Sequence, residues 1–445
     1  MKLNSTQPLV LLFGDVFGFT VSLYLALLLR TGDIPLWQEF FNHLVPFIAV
    51  FSVWVIVFFV SGLYERRAAA FRRDVVRTVV RAQFVNAGLA MIFFYLIPIF
   101  GIAPKTMLLI QLALSSVFVV WWRTSGFRML RPFAKKTRAV LIASGDEARE
   151  LFNEVNGSNR FRFSFIDRIS LDRVDAHVEA SLIDLIQNRD VSVVVVDTHD
   201  ARVGTLFPRM HEIMFKGVRF VRMHDVYEEV FDRVPLSLVR EQWFLENISG
   251  GTSFAYDVFK RSMDIFIAGI LGIASLVIYP FVALAIKIED GGDVFIRQNR
   301  IGKGGKTISM FKFRSMKTSD GGKWVTEGDN RITRVGKFIR ASRIDELPQL
   351  WSVVKGDMSL IGPRPDIYDL GVKLSEEIPH YRIRSLVAPG LSGWAQIRQE
   401  LPPQSLEETK VRLSYDFYYV KSRSILLDLK IALQTIKTLL MRVGK

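Results

Sequence analysis

Apolar residues crowd the start of this chain. Four long apolar runs, at residues 9–29, 44–63, 82–100 and 107–122, approach the roughly 20 residues needed to cross the hydrocarbon of a bilayer. The third reads AQFVNAGLAMIFFYLIPIF, and the fourth ends in Trp121 and Trp122, as an interfacial anchor does. Packed as core helices of a water-soluble domain, four such runs within 125 residues would leave too little polar surface to cover them. The pattern therefore predicts a four-helix transmembrane bundle over residues 1–125. A cleavable signal peptide is not expected, because the early apolar stretches are too long and lack a small-residue cleavage site. Asp15 and Asn86 fall inside runs, where a polar group serves either helix–helix hydrogen bonding or function.

From about residue 138 the pattern changes to short apolar runs alternating with amphipathic helices. RAVLIAS, a helix DEARELFNEV, then FRFSFID, VSVVVVDT and VRFVRMH predict a Rossmann-like α/β domain over residues 126–250. Its first turn, ASGDEAR, carries only Gly145 where a dinucleotide fingerprint needs several glycines. A structural or regulatory role is favoured over nucleotide binding.

A fifth run, MDIFIAGILGIASLVIYPFVALAIKI at residues 263–288, is preceded by Lys260 and Arg261 and followed by Arg297, Arg300, Lys303 and Lys306. Both flanks are equally basic, and Pro280 lies inside the run, where it kinks a helix. These features predict a re-entrant helix that breaks near Ser275–Pro280 and returns to the face it entered. It would anchor a monotopic, mainly α (α+β) domain spanning residues 251–445.

Charge fixes the orientation. The loop after the second run holds Arg66, Arg67, Arg72, Arg73, Arg77 and Arg81, whereas TGDIPLWQEFFN after the first holds no Lys or Arg. The segment after the fourth run is basic again, so the positive-inside rule places the soluble parts in the cytoplasm. Of 445 residues half are apolar, and the net charge is +14. Inner-leaflet lipids and phosphate ligands account for that surplus, and no nucleic-acid motif supports the other use of a basic chain. With no cysteine, disulfides and thiolate metal sites are excluded.

The last third carries the candidate chemistry: FIRQNRIGKGGKTISMFKFRSM, DNRITRVGKFIR, ASRIDELPQLWSVVKGDMSLIGPRP and APGLSGWAQIR. In RIDELPQL, Leu347, Leu350, Trp351 and Val354 share one helix face, and Gly356 supplies a stop. Asp345 is then expected at the N-cap and Glu346 at the first helical position, with Pro348 in the first turn, where a missing N–H costs nothing. The helix terminus would keep both carboxylates ionised and could hold a phosphate. A capped surface helix explains the pair equally well when taken alone. Nearby guanidinium groups at Arg340 and Arg364 suit phosphate oxygens, and adjacent carboxylates suit Mg²⁺, which takes one or two carboxylates plus substrate phosphates.

Together the blocks, in this order from about residue 256 to 440, resemble the bacterial sugar transferase family of polyprenyl-phosphate hexose-1-phosphate transferases. The bundle and the α/β domain resemble its long form. Arg343 and Ser352 depart locally from the family pattern without touching the acidic pair. The resemblance implies transfer of a hexose 1-phosphate from a UDP-sugar to undecaprenyl phosphate in the bacterial inner membrane, with UMP released, as the first membrane step of exopolysaccharide, capsule or O-antigen assembly. It implies Asp345 as nucleophile, through a phospho-aspartyl intermediate, and Glu346 as its partner, both also holding Mg²⁺. Arg340 and Arg364, with Arg300, Lys312 and Arg314 added from the first block, are the expected phosphate-binding residues. Direct transfer with Glu346 as base uses the same residues. A homodimer is admitted by such a bundle.

Softer expectations concern the remaining blocks. RIGKGGK reads either as a glycine-rich phosphate cradle or as a hairpin turn, and PGLSGW as a tight turn with Trp394 in the core or at the interface. The C-terminal helix would lie in the head-group layer or else pack on the domain, the former being favoured. Rival readings are a membrane-anchored nucleotide-sugar dehydratase, for which Tyr256 and Lys260 give the sole Tyr-x-x-x-Lys pair considered, and a polytopic glycan-export subunit.

Overall fold

The apolar runs form helices α1 (Gln7–Thr31), α2 (Trp37–Val60), α3 (Arg72–Leu96) and α4 (Lys105–Trp121). Each is long and apolar enough to cross a membrane, the third over Val76–Leu96 and the fourth over Thr106–Gly126. This computed structural model describes residues 7–64, 72–96, 105–126, 136–158, 161, 163–173, 191–198, 200–206, 210, 215, 217–239, 241–248, 254–317, 331–399 and 401–441. The third span starts earlier than the apolar run predicts, and the end of that run at residues 97–100 lies outside the described residues. So do Arg66 and Arg67 of the basic loop.

The chain divides into two compact units, Met1–Val196 with Asp200–Val221, and Asp197–His199 with Arg222–Lys445. In the first, the helices bury an apolar core around Phe19, Phe47, Trp54 and Phe58 and also expose apolar side chains on the outside. Phe13, Phe84 and Val117 are more than 70 % exposed, whereas Asp15, Gln83, Asn86, Gln111 and Ser115 are buried between helices. Apolar groups facing out and polar groups facing in suit a lipid solvent. Asn86 Nδ2 donates to Gln83 Oε1 at 2.9 Å, and Gln83 Nε2 donates to Ser115 Oγ at 3.0 Å, joining α3 to α4. Asp15 pairs with Arg123 and accepts from the Tyr64 hydroxyl at 2.9 Å. Of the in-span polar residues noted in the sequence, Asp15 joins separate segments directly, while the Asn86 side chain supports Gln83, which makes the bond to α4.

The same unit carries a four-stranded sheet of β1 (Thr137–Ile142), β2 (Phe163–Ile169), β3 (Val193–Val196) and β4 (Arg219–Arg222), in the order β2-β1-β3-β4. Pairing of β1 with β2 and with β3 is parallel. The β-branched runs Val140–Ile142 and Val193–Val196 are buried, as central parallel strands require. Helix α5 (Asp146–Gly157) follows β1, with Asp146 and Glu147 in its first turn. Two carboxylates there oppose an anion at that helix terminus.

In the second unit, helices α6 (Met223–Phe231) and α7 (Glu241–Asn247) lead into α8 (Phe254–Ser275) and α9 (Tyr279–Asp290). Val234 and Trp243 bury against Leu413 and Phe417. Helices α8 and α9 meet at a 54° bend. Pro280 is placed early in α9, where no intrahelical N–H bond is lost, and the Ser275 hydroxyl turns back onto the Gly272 carbonyl at 2.6 Å. The predicted Ser275–Pro280 break is present. Around it Phe266, Ile273, Val277, Phe281 and Leu284 are exposed, while Ala268 on the other side is fully buried.

Strands β5 (Phe295–Ile301) and β6 (Thr307–Phe313) form an antiparallel hairpin whose tip is Lys303–Gly305. Helix α10 (Arg334–Ala341) is capped twice: Thr333 Oγ1 accepts from Gly336 N, and Glu289 at the end of α9 accepts from the N–H groups of Arg334 and Val335 at 2.6 and 3.0 Å. Then come α11 (Gln349–Lys355), β7 (Ser359–Ile361), α12 (Tyr368–Glu377), β8 (Gly390–Ser392), α13 (Trp394–Arg398), α14 (Leu406–Ser422) and α15 (Ile425–Met441). PGLSGW is not a plain turn. Its middle is β8, paired in parallel with β7, because Gly362 and Gly390 let the two backbones approach where any Cβ would collide. Trp394 is buried, its indole N–H donating to Asp232 O at 2.8 Å. On α15, Leu426 and Leu429 are exposed and Ile431 is buried.

Candidate active site

The acidic pair stands in a one-turn 3-10 helix, Ile344–Glu346, entered through Arg343 at φ 57°. A left-handed non-glycine residue costs roughly 1 kcal/mol or more, and here it tightens the chain just before the carboxylates. The α-helix begins only at Gln349, with Pro348 as its N-cap. Asp345 is thus not the N-cap that the spacing suggests, because the strained entry at Arg343 produces a 3-10 turn first.

Helix α11 is fixed from α8. Arg261 donates to the carbonyls of Val353 and Val354 at 2.7 Å each, capping its C-terminus, and Gly356 at φ 103° ends it. Leu350 and Val353 are buried beside Ala268, and Trp351 lies over Gly272. Helix α8 thus supports the helix that directly follows the carboxylates.

The two carboxylates are not equivalent. Asp345 is 8 % exposed, and its Oδ1 is buried with no hydrogen-bond partner. Burial, and secondly the neighbouring Glu346 charge, push the Asp345 carboxyl up to about 6, against the pull of Lys312, Arg340 and Arg343. Asp345 is thus held above the ordinary carboxylate range, yet it remains mainly ionised at neutral pH. Burial also opposes the charge of Glu346, but Arg364, Arg343 and Lys312 outweigh it and hold that carboxyl below its ordinary range. Glu346 Oε1 accepts from Arg364 Nη2 at 2.7 Å, and Arg343 lies 3.6 Å away.

The other expected cations are dispersed. Lys312 and Arg340 act on Asp345, and Arg340 Nη1 lies 3.5 Å from the Met316 sulfur. Arg300 donates to Pro365 O at 2.9 Å and to Gln298 Oε1 at 2.6 Å, so its guanidinium is turned onto the backbone of the GPRP turn. The guanidinium of Arg314 occupies the space over Gly292. Ser275 and Pro280 sit at the helix break described above. Tyr256 and Lys260 do not form a cofactor dyad. Tyr256 donates to Asp428 at 2.9 Å and Lys260 lies 3.2 Å from it, bracing α8 against α15. Sequence reasoning missed Asp366, Arg384, Arg412 and Asp416, which surround the GPRP turn. Only Asp366, next to GPRP, carried a local signal.

Among the described residues no cluster of three or more His, Cys, Asp or Glu forms a metal cage. An anionic oxygen buried without a donor, next to a second carboxylate, nevertheless fits a hard divalent cation that takes its other ligands from phosphate and water.

The family model described as "Bacterial sugar transferase" matches residues 255–442. A UDP-N-acetylgalactosamine-undecaprenyl-phosphate N-acetylgalactosaminephosphotransferase of Aeromonas hydrophila is 43% identical over 192 residues, 42% of this chain and 45% of the relative. A UDP-glucose:undecaprenyl-phosphate glucose-1-phosphate transferase of Caulobacter vibrioides is 40% identical over 190 residues, covering 42% of this chain and 71% of the relative. An exopolysaccharide production protein PSS of Rhizobium leguminosarum bv. phaseoli is 37% identical over 195 residues, again 42% of this chain and 96% of the relative. The match thus spans less than half of the Aeromonas protein and nearly all of the Rhizobium one. Ordered sequence blocks, a carboxylate pair ringed by cations and these matches converge: the chain belongs to the bacterial sugar transferase family.

Proposed function

We infer that this protein transfers a sugar 1-phosphate from a UDP-sugar to undecaprenyl phosphate, releasing UMP, as the first membrane step in building a surface polysaccharide. The observation that carries the reading is the unpartnered, buried Asp345 Oδ1 beside an arginine-held Glu346. A carboxylate oxygen without a donor is a nucleophile whose lone pairs are not engaged. It attacks the β-phosphorus of the UDP-sugar. The bond from that phosphorus to the bridging oxygen breaks, UMP leaves with the electron pair, and a sugar-phospho-aspartyl group remains. An oxygen of undecaprenyl phosphate then attacks the same phosphorus and returns Asp345 as carboxylate. Lys312, Arg340, Arg343 and Arg364 offset the charge that builds on the phosphoryl oxygens. Asp345 and Glu346 would hold Mg²⁺, which supplies further neutralisation of the diphosphate when bound.

The lipid acceptor sets the topology. The bent pair α8–α9 enters and leaves the inner membrane on its cytoplasmic side, placing the dyad where a lipid phosphate and a cytosolic nucleotide meet. Its equally basic flanks and the bend support this. The sheet-bearing part is a Rossmann-like regulatory or structural domain, and the membrane bundle leaves room for two copies to pair. Purified protein given undecaprenyl phosphate, Mg²⁺ and a panel of UDP-sugars should release UMP from one or a few of them. Asp345→Asn should lower that release at least a thousandfold. Undiminished release by the variant refutes the nucleophile. A phosphosugar retained on the wild-type protein, but not on Asp345→Asn, separates the covalent route from direct transfer.

A further inference from the structure

Three guanidinium groups converge on the backbone of the GPRP turn. Arg384 Nη2 and Arg412 Nη2 both donate to the carbonyl oxygen of Arg364 at 2.8 Å, and Arg300 Nη1 donates to that of Pro365. The N–H of Ile301 donates to the Asp366 carbonyl at 3.0 Å. Arg384 is itself buried, 5 % exposed, between Asp366 and Asp416, with Asp416 at 2.7 Å. The Tyr381 hydroxyl donates to Asp366 at 2.8 Å, and Arg412 faces Asp366 at 3.4 Å.

Such a network is a poor source of stability, because well-packed apolar residues commonly replace buried ion pairs without loss. What it does provide is a fixed carbonyl. With two guanidinium donors both lone pairs of the Arg364 oxygen are engaged, so the Cα of Arg364 is set from behind. From there its side chain reaches Glu346. Misplacement of a catalytic contact by about 1 Å lowers turnover by roughly a hundredfold.

We propose that Asp366, Arg384, Asp416 and Arg412 are positioning residues that fix the Arg364 backbone, so that its guanidinium meets Glu346 and the substrate phosphate in one orientation. The proposal rests on the transferase reading above. These residues act through Arg364 and touch no reacting atom.

The test is a double-mutant cycle on kcat/KM for the UDP-sugar, using the full chain. Arg412→Gln should lower kcat/KM about tenfold in the otherwise native protein and less than twofold in an Arg364→Ala background, because the residue it positions is gone. Arg412→Lys, which keeps the charge facing Asp366, should recover most of the loss. Lys421→Met, which removes the 2.8 Å pair with Glu228 in the same unit, should lower the melting temperature without lowering kcat/KM. Equal losses in both backgrounds, or no loss with Arg412→Gln, overturn the proposal. Should Arg412→Gln fail to fold, the cycle runs with Arg412→Lys, expected at about threefold against none. A wild-type chain that releases no UMP, or an Asp345→Asn variant that still does, sinks the transferase reading and this proposal with it, before any Arg412 variant is measured.

Discussion

Asp345 occupies a place where burial and the neighbouring Glu346 oppose its own charge. Its folded-state value of about 6 lies above the ordinary 3.8. A raised carboxyl pKa means that the protonated form is favoured by folding. The associated stability is complete below about pH 4 and is lost as pH rises through about 6. Asp345→Asn should therefore stabilise the metal-free protein at pH 7.5, by up to about 3 kcal/mol, while abolishing transfer. Thermal unfolding at pH 7.5 and pH 4 checks this, since the gap should close at the lower pH. A variant less stable than wild type at pH 7.5 would mean that the aspartate is structural. The pair was legible because DE stands beside LP and ahead of GPRP. Its asymmetry was not, since it depends on Arg364, eighteen positions on, and on burial against β6. Nor could a local pattern reveal Arg384 or Asp416, whose partners come together only when α12 and α14 pack.

Periodicity works well for elements with a lipid or a large core to face. The four spans and the broken fifth helix follow from run length and from Pro280, with ends moved by a few residues. It works poorly for short pieces: the 3-10 turn at the dyad and the three-residue β8 owe their form to Arg343 and to close glycine contact rather than to any repeat. The bend itself gives a test. The chain contains no cysteine, so single cysteines report cleanly. Phe254→Cys and Lys303→Cys, on opposite sides of α8–α9 in sequence and both at exposed positions, should react with an impermeant maleimide from the same, cytoplasmic, side of oriented vesicles. Reaction from opposite sides would make the pair a straight span and remove the dyad from its nucleotide.

The chain holds two compact units, one with a few polar groups buried within its apolar helix core and one with a bent apolar helix pair. The first unit depends on its few ionic contacts more than a soluble bundle would, because lipid offers no alternative partner. Arg123→Met should leave the buried Asp15 carboxyl with only the Tyr64 hydroxyl as partner, and lower the unfolding free energy in detergent by about 3 kcal/mol. The double variant Asp15→Leu with Arg123→Met should recover most of that. A double variant as unstable as the sum of the singles would mean that the two residues act apart.

Glu289 ties the end of the bent apolar pair to the helix that carries Arg340 by two backbone hydrogen bonds. It ends the bent apolar pair and holds the first turn of the helix that delivers Arg340. On the re-entrant placement proposed above, a change in bilayer thickness that shifts this pair would reach Arg340 through Glu289. Transfer measured in vesicles of graded acyl-chain length should then vary with that length, and a Glu289→Gln variant should vary less.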